Sequence, residues 1–345
     1  MLFRPAGIAA AGDIIMLIKK TAFAVLALSL AMAPVHAPAK DAQPVEVKSK
    51  GAFKGASRIA IAAFNVGFIF ESTDQTKKTG GMLGAFGGTT KAKSELVGVT
   101  PAMMQQITDA AYADFVAQMA ATGITVVPPA AVFTDPNFAK VKTRPGPTEI
   151  NIQLEKGSKG KADFYKPAAL PAQVMIGTDF AGSGLGSIGL NMSAGQNGYL
   201  LGAYAKASNV PVVDVTYLID FSQQQRPGAF SFSGIKVNAN LGIVPTYSKL
   251  TVIGVTGQQD MLTLGQPVSV DGDFIDVTGA SSGADKTLQS AANIGAAVMG
   301  LGVGGMFGKT RKFTFTAKPG NYEAGATKAA SLANARLIGQ LLLLR

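Results

Sequence analysis

The spacing of apolar residues changes several times along the chain, and each change marks an element. The stretch SRIAIAAFNVGFIFES (57–72) is β-branched and aromatic, with no acidic residue before Glu71, and predicts a buried strand. Between Thr100 and Thr122 the period lengthens, and Met104, Ile107, Ala111, Phe115 and Met119 fall on one helical face. Thr100 suits the N-cap, Pro101 the first helical position, and Gly123 the stop. ITVVPP (124–129) then predicts a short strand ended by two prolines. Strand, helix and strand within this span make an α/β unit.

Residues 134–170 are polar and rich in Pro, Lys and Gly, and predict a long connection with one short helix. After the apolar run QVMIGTDF (173–180), residues 197–209 predict a helix and VPVVDVTYLIDFS (210–222) a strand. Beyond Pro227 the period drops to two. AFSFSGIKVNANLGIV, SKLTVIGVTG, MLTLGQPVSV and DGDFIDVTG predict consecutive antiparallel strands with Gly, Asn and Asp at the turns. A strand at KFTFTAK (312–318) follows, then a terminal helix from Asn321 that buries Ala329, Leu332, Ala333 and Leu337. The fold class is therefore mixed α+β or α/β, with a strand–helix–strand front unit, a β-rich antiparallel second half and a C-terminal helix. Residues 58–345 form one domain, or two lobes divided near residue 222.

The N-terminus changes the chemistry available. From Met16, two lysines precede the apolar stretch AFAVLALSLAMA, and Val35-His36-Ala37 fits a small-x-small cleavage rule. Residues 1–37 are expected to be a signal peptide, with Met16 an alternative start, and residues 38–57 a flexible leader. The whole chain carries 31 basic and 21 acidic residues. Removing Arg4, Lys19, Lys20 and Asp13 leaves 28 and 20, a net charge of +8. His36, the single histidine, leaves too, and the chain has no cysteine. Ser-His-Asp and Cys-His catalysis then lack their base, and zinc or iron–sulfur sites lack ligands. No lipobox cysteine exists for a lipid anchor.

Several motifs match chemistry by letter only. GLGSIG supplies Gly184, Gly186 and Gly189 at dinucleotide-loop spacing, but the same spacing recurs at Gly300, Gly302 and Gly305 in a chain of 41 glycines. No strand ends at the first glycine, and GLNMSAGQNG delays the next helix to about Gly198, so the stretch predicts a mobile loop and no cofactor. Ser158-x-x-Lys161 sits in KGSKGK, which no helix favours. Asp271, Asp273 and Asp276 are candidate oxygen ligands for Ca²⁺, weighed against a plain Asp-Gly hairpin turn. No catalytic residue is assigned, and paired carboxylates are not locatable. Lys48, Lys50 and Lys54, then Lys156, Lys159 and Lys161, then Lys309, Arg311 and Lys312 are dispersed, without the aromatic interleaving of nucleic-acid platforms.

Two uncharged segments stand out, GGMLGAFGGTTK (80–91) and GGMFGKTRK (304–312), the second closing the Gly-rich run 288–308. Each is flanked by lysines. Met82, Leu83, Phe86, Met299, Met306 and Phe307 are candidate membrane or partner contacts, with lysines meeting headgroups. The expected partners are an envelope protein or an anionic lipid or polysaccharide surface, with a second copy of the chain admissible, and no nucleic acid.

The segment RIAIAAFNVGF…GVTPAMMQQITDAAYADFVAQMAATGITVVPPAAV, together with VPVVDVTYLIDF, resembles the curli-assembly secretion-channel family and related envelope lipoprotein domains. The likeness is a pattern of apolar positions over about a third of the chain. With the signal peptide and the lack of His and Cys in the mature chain, the expectation is an exported binding or assembly protein without catalytic activity at the periplasm or outer-membrane periphery of a Gram-negative bacterium. The alternatives are a subunit of an outer-membrane secretion or transport assembly with lipid-touching Gly-rich loops and a carboxylate-based hydrolase of envelope glycans. The chain departs from the family at residues 79–90 and 134–170, which are long insertions, and no site residue is carried over.

Overall fold

A computed structural model describes residues 43–77, 89–154, 158–180, 188–225, 236–245, 247–279 and 310–345. The chain divides into units 1–42 and 43–345, and the second is described here. In chain order its elements are β1 (Val45–Lys48), β2 (Arg58–Lys77), β3 (Thr89–Val97), α1 (Pro101–Ala121), β4 (Thr125–Val127), α2 (Pro129–Phe133), β5 (Thr143–Arg144), β6 (Thr148–Ile152), β7 (Lys159–Tyr165), β8 (Gln173–Val174) and α3 (Ile188–Ser208). There follow β9 (Val212–Gln225), β10 (Lys236–Ile243), β11 (Lys249–Ile253), β12 (Gln259–Leu264), β13 (Val268–Val270), β14 (Ile275–Gly279), β15 (Thr310–Ala317) and α4 (Asn321–Leu342).

Thirteen strands join one mixed sheet whose main path runs β1-β12-β11-β9-β2-β3-β15-β14. The spine is the parallel pair β2 and β9. One face of β9, Val213, Val215 and Tyr217, packs under α1 and α4 in the larger core. Ile107, Ala111, Phe115 and Met119 of α1 are all buried there, as their helical spacing requires. Thr100 caps α1 by accepting the Met103 N–H at 3.3 Å, and Gly123 leaves it at φ +77°, a left-handed position that suits glycine. A buried polar knot ties the three elements: the Tyr217 hydroxyl donates to Asn334 Oδ1 at 2.6 Å, and Asn334 Nδ2 donates to Ala111 O and Asp114 Oδ2. The opposite sheet face is lined by small residues of β2, Ala60, Ala62 and Ala63, against which Leu201, Tyr204 and Ala205 of α3 form a second core.

The strand–helix–strand unit, the β-rich second half and the C-terminal helix stand as expected. Other details differ. Val45–Lys48, placed in the leader by composition, pairs with β12. The loop after it is held by Asp260, whose Oδ1 accepts from Ser49 Oγ (2.8 Å), Lys50 N (2.6 Å) and Gly51 N (3.0 Å), and whose Oδ2 accepts from Phe53 N (2.9 Å). Burial works to raise this carboxyl's pKa, but the backbone and hydroxyl donors outweigh it and hold it below the usual range. Asp260→Ala is expected to cost about 2–3 kcal/mol, read as a lower urea midpoint. Because the folded pKa is depressed, this stability is present above about pH 4 and is lost as pH falls through the folded value, which an acid titration of both proteins checks.

Polar strands were the ones missed. Residues 134–170 contain β6 and β7 as an antiparallel hairpin, besides the short 3-10 helix Phe138–Lys140. β3 pairs with β2 on one side and, in parallel, with β15 on the other. Of the late strands, β11 and β12 pair consecutively, whereas β13 pairs with β10 and β14 with β15. The Asp-Gly at Asp271 is thus no hairpin turn but a crossing between two partners. In α4, Ala329, Ala333 and Leu337 are buried as expected, but Leu332 is 45% exposed, because it falls off the face that α1 covers.

Candidate functional site

The register places three chain exits at one end of the sheet. β2 and β9 run parallel toward that end, leaving at Lys77 and Gln225. β3 and β10 return antiparallel beside them, from Thr89 and Lys236. β14 runs to the same end at Gly279, and β15 comes back from Thr310, level with Lys91 of β3. Residues 78–88, 226–235 and 280–309 therefore join strand ends on a single side of the molecule. Met82, Leu83, Phe86, Met299, Met306 and Phe307 all belong to two of these connections and lie outside the described residues.

A second candidate is buried in the sheet face under α3. Asp214 and Thr216 of β9 lie on one side, and Thr251 and Lys249 of β11 stand opposite them in register. The 3-10 turn Gly177–Phe180, which lies beside Gly195 of α3, adds Asp179. Asp179 and Asp214 are at most 1% exposed and Lys249 is 5% exposed. Asp179 Oδ2 accepts from Ile176 N at 2.9 Å, and Lys249 Nζ donates to the Thr178 carbonyl. Neither Asp214 oxygen nor Asp179 Oδ1 has a hydrogen-bond partner in the structure. The two carboxyl groups are close enough to shift each other, and burial of both favours a proton on the pair.

Charge follows from that geometry. Burial raises the Asp214 pKa well above the carboxylate range, and the neighbouring Asp179 raises it further. Burial also raises Asp179, against the neighbouring Asp214 and the bond from the Ile176 N–H. Burial lowers Lys249, while the two acids pull it back up. One proton on the acid pair and an ammonium on Lys249 would leave the cluster neutral. Asp214, a carboxylate amid the apolar run VPVVDVTYLIDF, is the one member of this cluster with a signal in the sequence. Asp179 and Lys249 carried none.

The remaining motifs resolve individually. Lys318 Nζ lies 2.6 Å from Asp273 Oδ1 and 3.0 Å from Asp276 Oδ1, so an ammonium takes the position a Ca²⁺ would share between them, while Asp271 is exposed. No group of three or more acidic, His or Cys side chains suited to a metal occurs among the described residues. The helix expected near Gly198 opens at Ile188, so Gly189 lies within it, while Gly184 and Gly186 lie outside the described residues. The strand before it, β8, has two residues and pairs antiparallel with β5, off the main sheet, which is not the parallel strand–turn–helix of a phosphate cradle. Ser158 and Lys161 flank and enter β7, a strand, which removes the helical S-x-x-K geometry. An open groove of about 520 Å³ lies between α1 and Pro128-Pro129, with Tyr112, Val116 and Val126 on its wall. Its acid, Asp109, already accepts from Gln105 Nε2 and Ala168 N.

Comparison with protein-family models, curated proteins and solved structures returned no match.

Proposed function

We propose that the chain is an exported, non-enzymatic protein of the cell envelope, of binding or assembly type, working at the periplasm or outer-membrane periphery of a Gram-negative bacterium. It meets a membrane or an envelope partner through one end of its long sheet. The observation that carries this reading is the convergence of strand ends. The ends of β2, β3, β14 and β15 that flank the two uncharged Gly-rich segments, 79–90 and 288–308 in sequence, lie on one side of the sheet. Segments of this composition, apolar and bounded by lysines, suit entry into the acyl–headgroup boundary. No helix among the described residues is long and apolar enough to cross a membrane, so any insertion belongs to these connections or to strands. The pattern likeness to curli-assembly channels points the same way and favours a subunit of an outer-membrane assembly.

Liposome flotation of the chain from residue 38 tests the reading. The full mature chain is expected to float with anionic vesicles, and variants lacking 79–90 and 293–308 to stay at the bottom while keeping their circular dichroism spectrum. No flotation of either form overturns the membrane reading. A carboxylate hydrolase acting on envelope glycans is the second reading, favoured only by the buried Asp179–Asp214 pair. It requires cell-wall hydrolysis that Asp214→Asn abolishes; a wild type without activity ends it.

A further inference from the structure

The basic residues that look dispersed along the chain are assembled by strand register. On the outer face of the sheet, Lys159 of β7 stands opposite Thr73 of β2. Thr73 stands opposite Lys93 of β3, and Lys93 opposite Lys312 of β15. The next row toward the exit end reads Gln75, Lys91 and Thr310. Lys91, Lys93, Lys159 and Lys312 are all exposed. None forms an ion pair with a described residue. The row on the other side, about 7 Å farther from the exit end, holds the acids: Glu71 lies beside Lys161 and Glu95, and Lys161 is paired with Glu149 at 3.2 Å. Charge is thus sorted along the strands, with acids set back and lysines alone nearest the exits.

That arrangement costs stability. Lys93 and Lys312 are direct cross-strand neighbours, and like charges so placed repel. One row back, Lys161 sits between Glu71 and its ion-pair partner Glu149 and offsets the acids there, whereas no acid stands in the lysine row. The lysines also sit about 7–13 Å below the strand ends at Lys77 and Thr89, at 3.3 Å per residue. A lysine stem spans about half that distance and carries its ammonium toward the exit end. Phosphate groups of a bilayer into which the adjoining segments dip would lie at this level.

We infer that Lys91, Lys93, Lys159 and Lys312 form a docking belt for the phosphate headgroups of an anionic bilayer. The inference rests on the membrane reading above and adds the residues that select anionic lipid. Its occupant is a lipid surface because the charge is spread over three strands of the sheet face, on either side of β2, and not gathered around a single anion, and because it lacks the aromatic platforms that a nucleic acid would need. Headgroup attraction of this kind is screened by salt within a Debye length.

The test compares flotation on phosphatidylcholine vesicles with and without phosphatidylglycerol. The proteins are the wild type, the quadruple variant K91Q/K93Q/K159Q/K312Q, and a control with the same charge loss at exposed lysines elsewhere, K54Q/K140Q/K206Q/K328Q. Binding to anionic vesicles is expected to fall about 5-fold per belt lysine, hence at least about a hundred-fold in the quadruple variant. The control is expected to keep most of its binding, and added salt to weaken the wild type far more than the belt variant. The belt variant should melt no lower than the wild type, since the substitutions relieve repulsion; K93Q/K312Q alone provides a milder form. Equal binding by the belt variant and the wild type overturns the belt while leaving the Gly-rich segments as the membrane contact. Equal binding to neutral and anionic vesicles overturns it too. A wild type that ignores both vesicles but loses binding to an acidic polysaccharide on belt substitution assigns the lysines to polysaccharide and overturns the lipid proposal. Loss of flotation on deletion of 79–90 and 293–308, with the belt intact, separates failure of the membrane reading from failure of the belt.

Discussion

Lys249→Met is expected to destabilise the protein by about 3–5 kcal/mol, because it leaves the buried carboxylate of Asp179 without a cation. The methionine fills much the same volume, so the loss is electrostatic and not a cavity. Asp214→Asn is expected to behave in the opposite way. The amide copies the protonated carboxyl, can donate to Asp179 and carries no charge to desolvate, so its cost should be under about 1 kcal/mol near neutral pH. The sign at alkaline pH follows from linkage. The folded Asp214 pKa is raised, so its contribution is fully present below the unfolded value near 4 and is lost as pH rises through the folded one. Asp214→Asn should therefore overtake the wild type in alkaline buffer. Denaturant melts of Lys249→Met in wild-type and Asp179→Asn/Asp214→Asn backgrounds form the decisive cycle. If the lysine costs as much to remove when no acid is left, it stabilises by packing and the charge assignment is wrong.

How legible all this was depends on which faces are buried. α1 and β9 were readable because one face of each is wholly apolar, and burial of Phe115 or Tyr217 demands that period. The outer part of β2, from Glu71 to Gln75, alternates buried positions with exposed or half-buried ones, so the apolar run ends at its first acid. TTKAKSELV and KGKADFY hide strands in the same manner: Ala92, Ser94 and Leu96 point inward while lysines and Glu95 face solvent. The start of α3 was hidden by glycines that lower local helix propensity. The acid pair joins residues on a turn and a strand, and its lysine comes from a third element. The lysine belt draws on three strands, from Lys91 to Lys312. Pairing between such distant segments is set by tertiary packing, which local period does not encode.

The pH dependence of stability in the neutral range should come chiefly from Asp220. This carboxyl lies near the outer end of β9, opposite Gly242 at an irregular register with β10, and accepts the Ser222 N–H at 3.0 Å. Burial raises its pKa most, to about 7 in balance with the Ser222 and Phe221 N–H bonds that lower it and the Asp74 charge that raises it. Tyr322 of α4 packs near it and offers no positive charge; burial raises that hydroxyl as well, with Asp220 and Glu323 adding to the effect. The unfolded chain releases the Asp220 proton near pH 4, so between about pH 4 and 7 the folded state holds a proton that the unfolded state has lost. Stability therefore declines with rising pH across this window, by up to about 4 kcal/mol from this one group. Asp220→Asn removes the slope. The variant is expected to match the wild type near pH 4 and to be the more stable of the two at pH 8, in urea melts taken at each pH. A difference between the two proteins that stays constant from pH 4 to 8 would show that Asp220 titrates normally and that its surroundings are wetter than its burial implies.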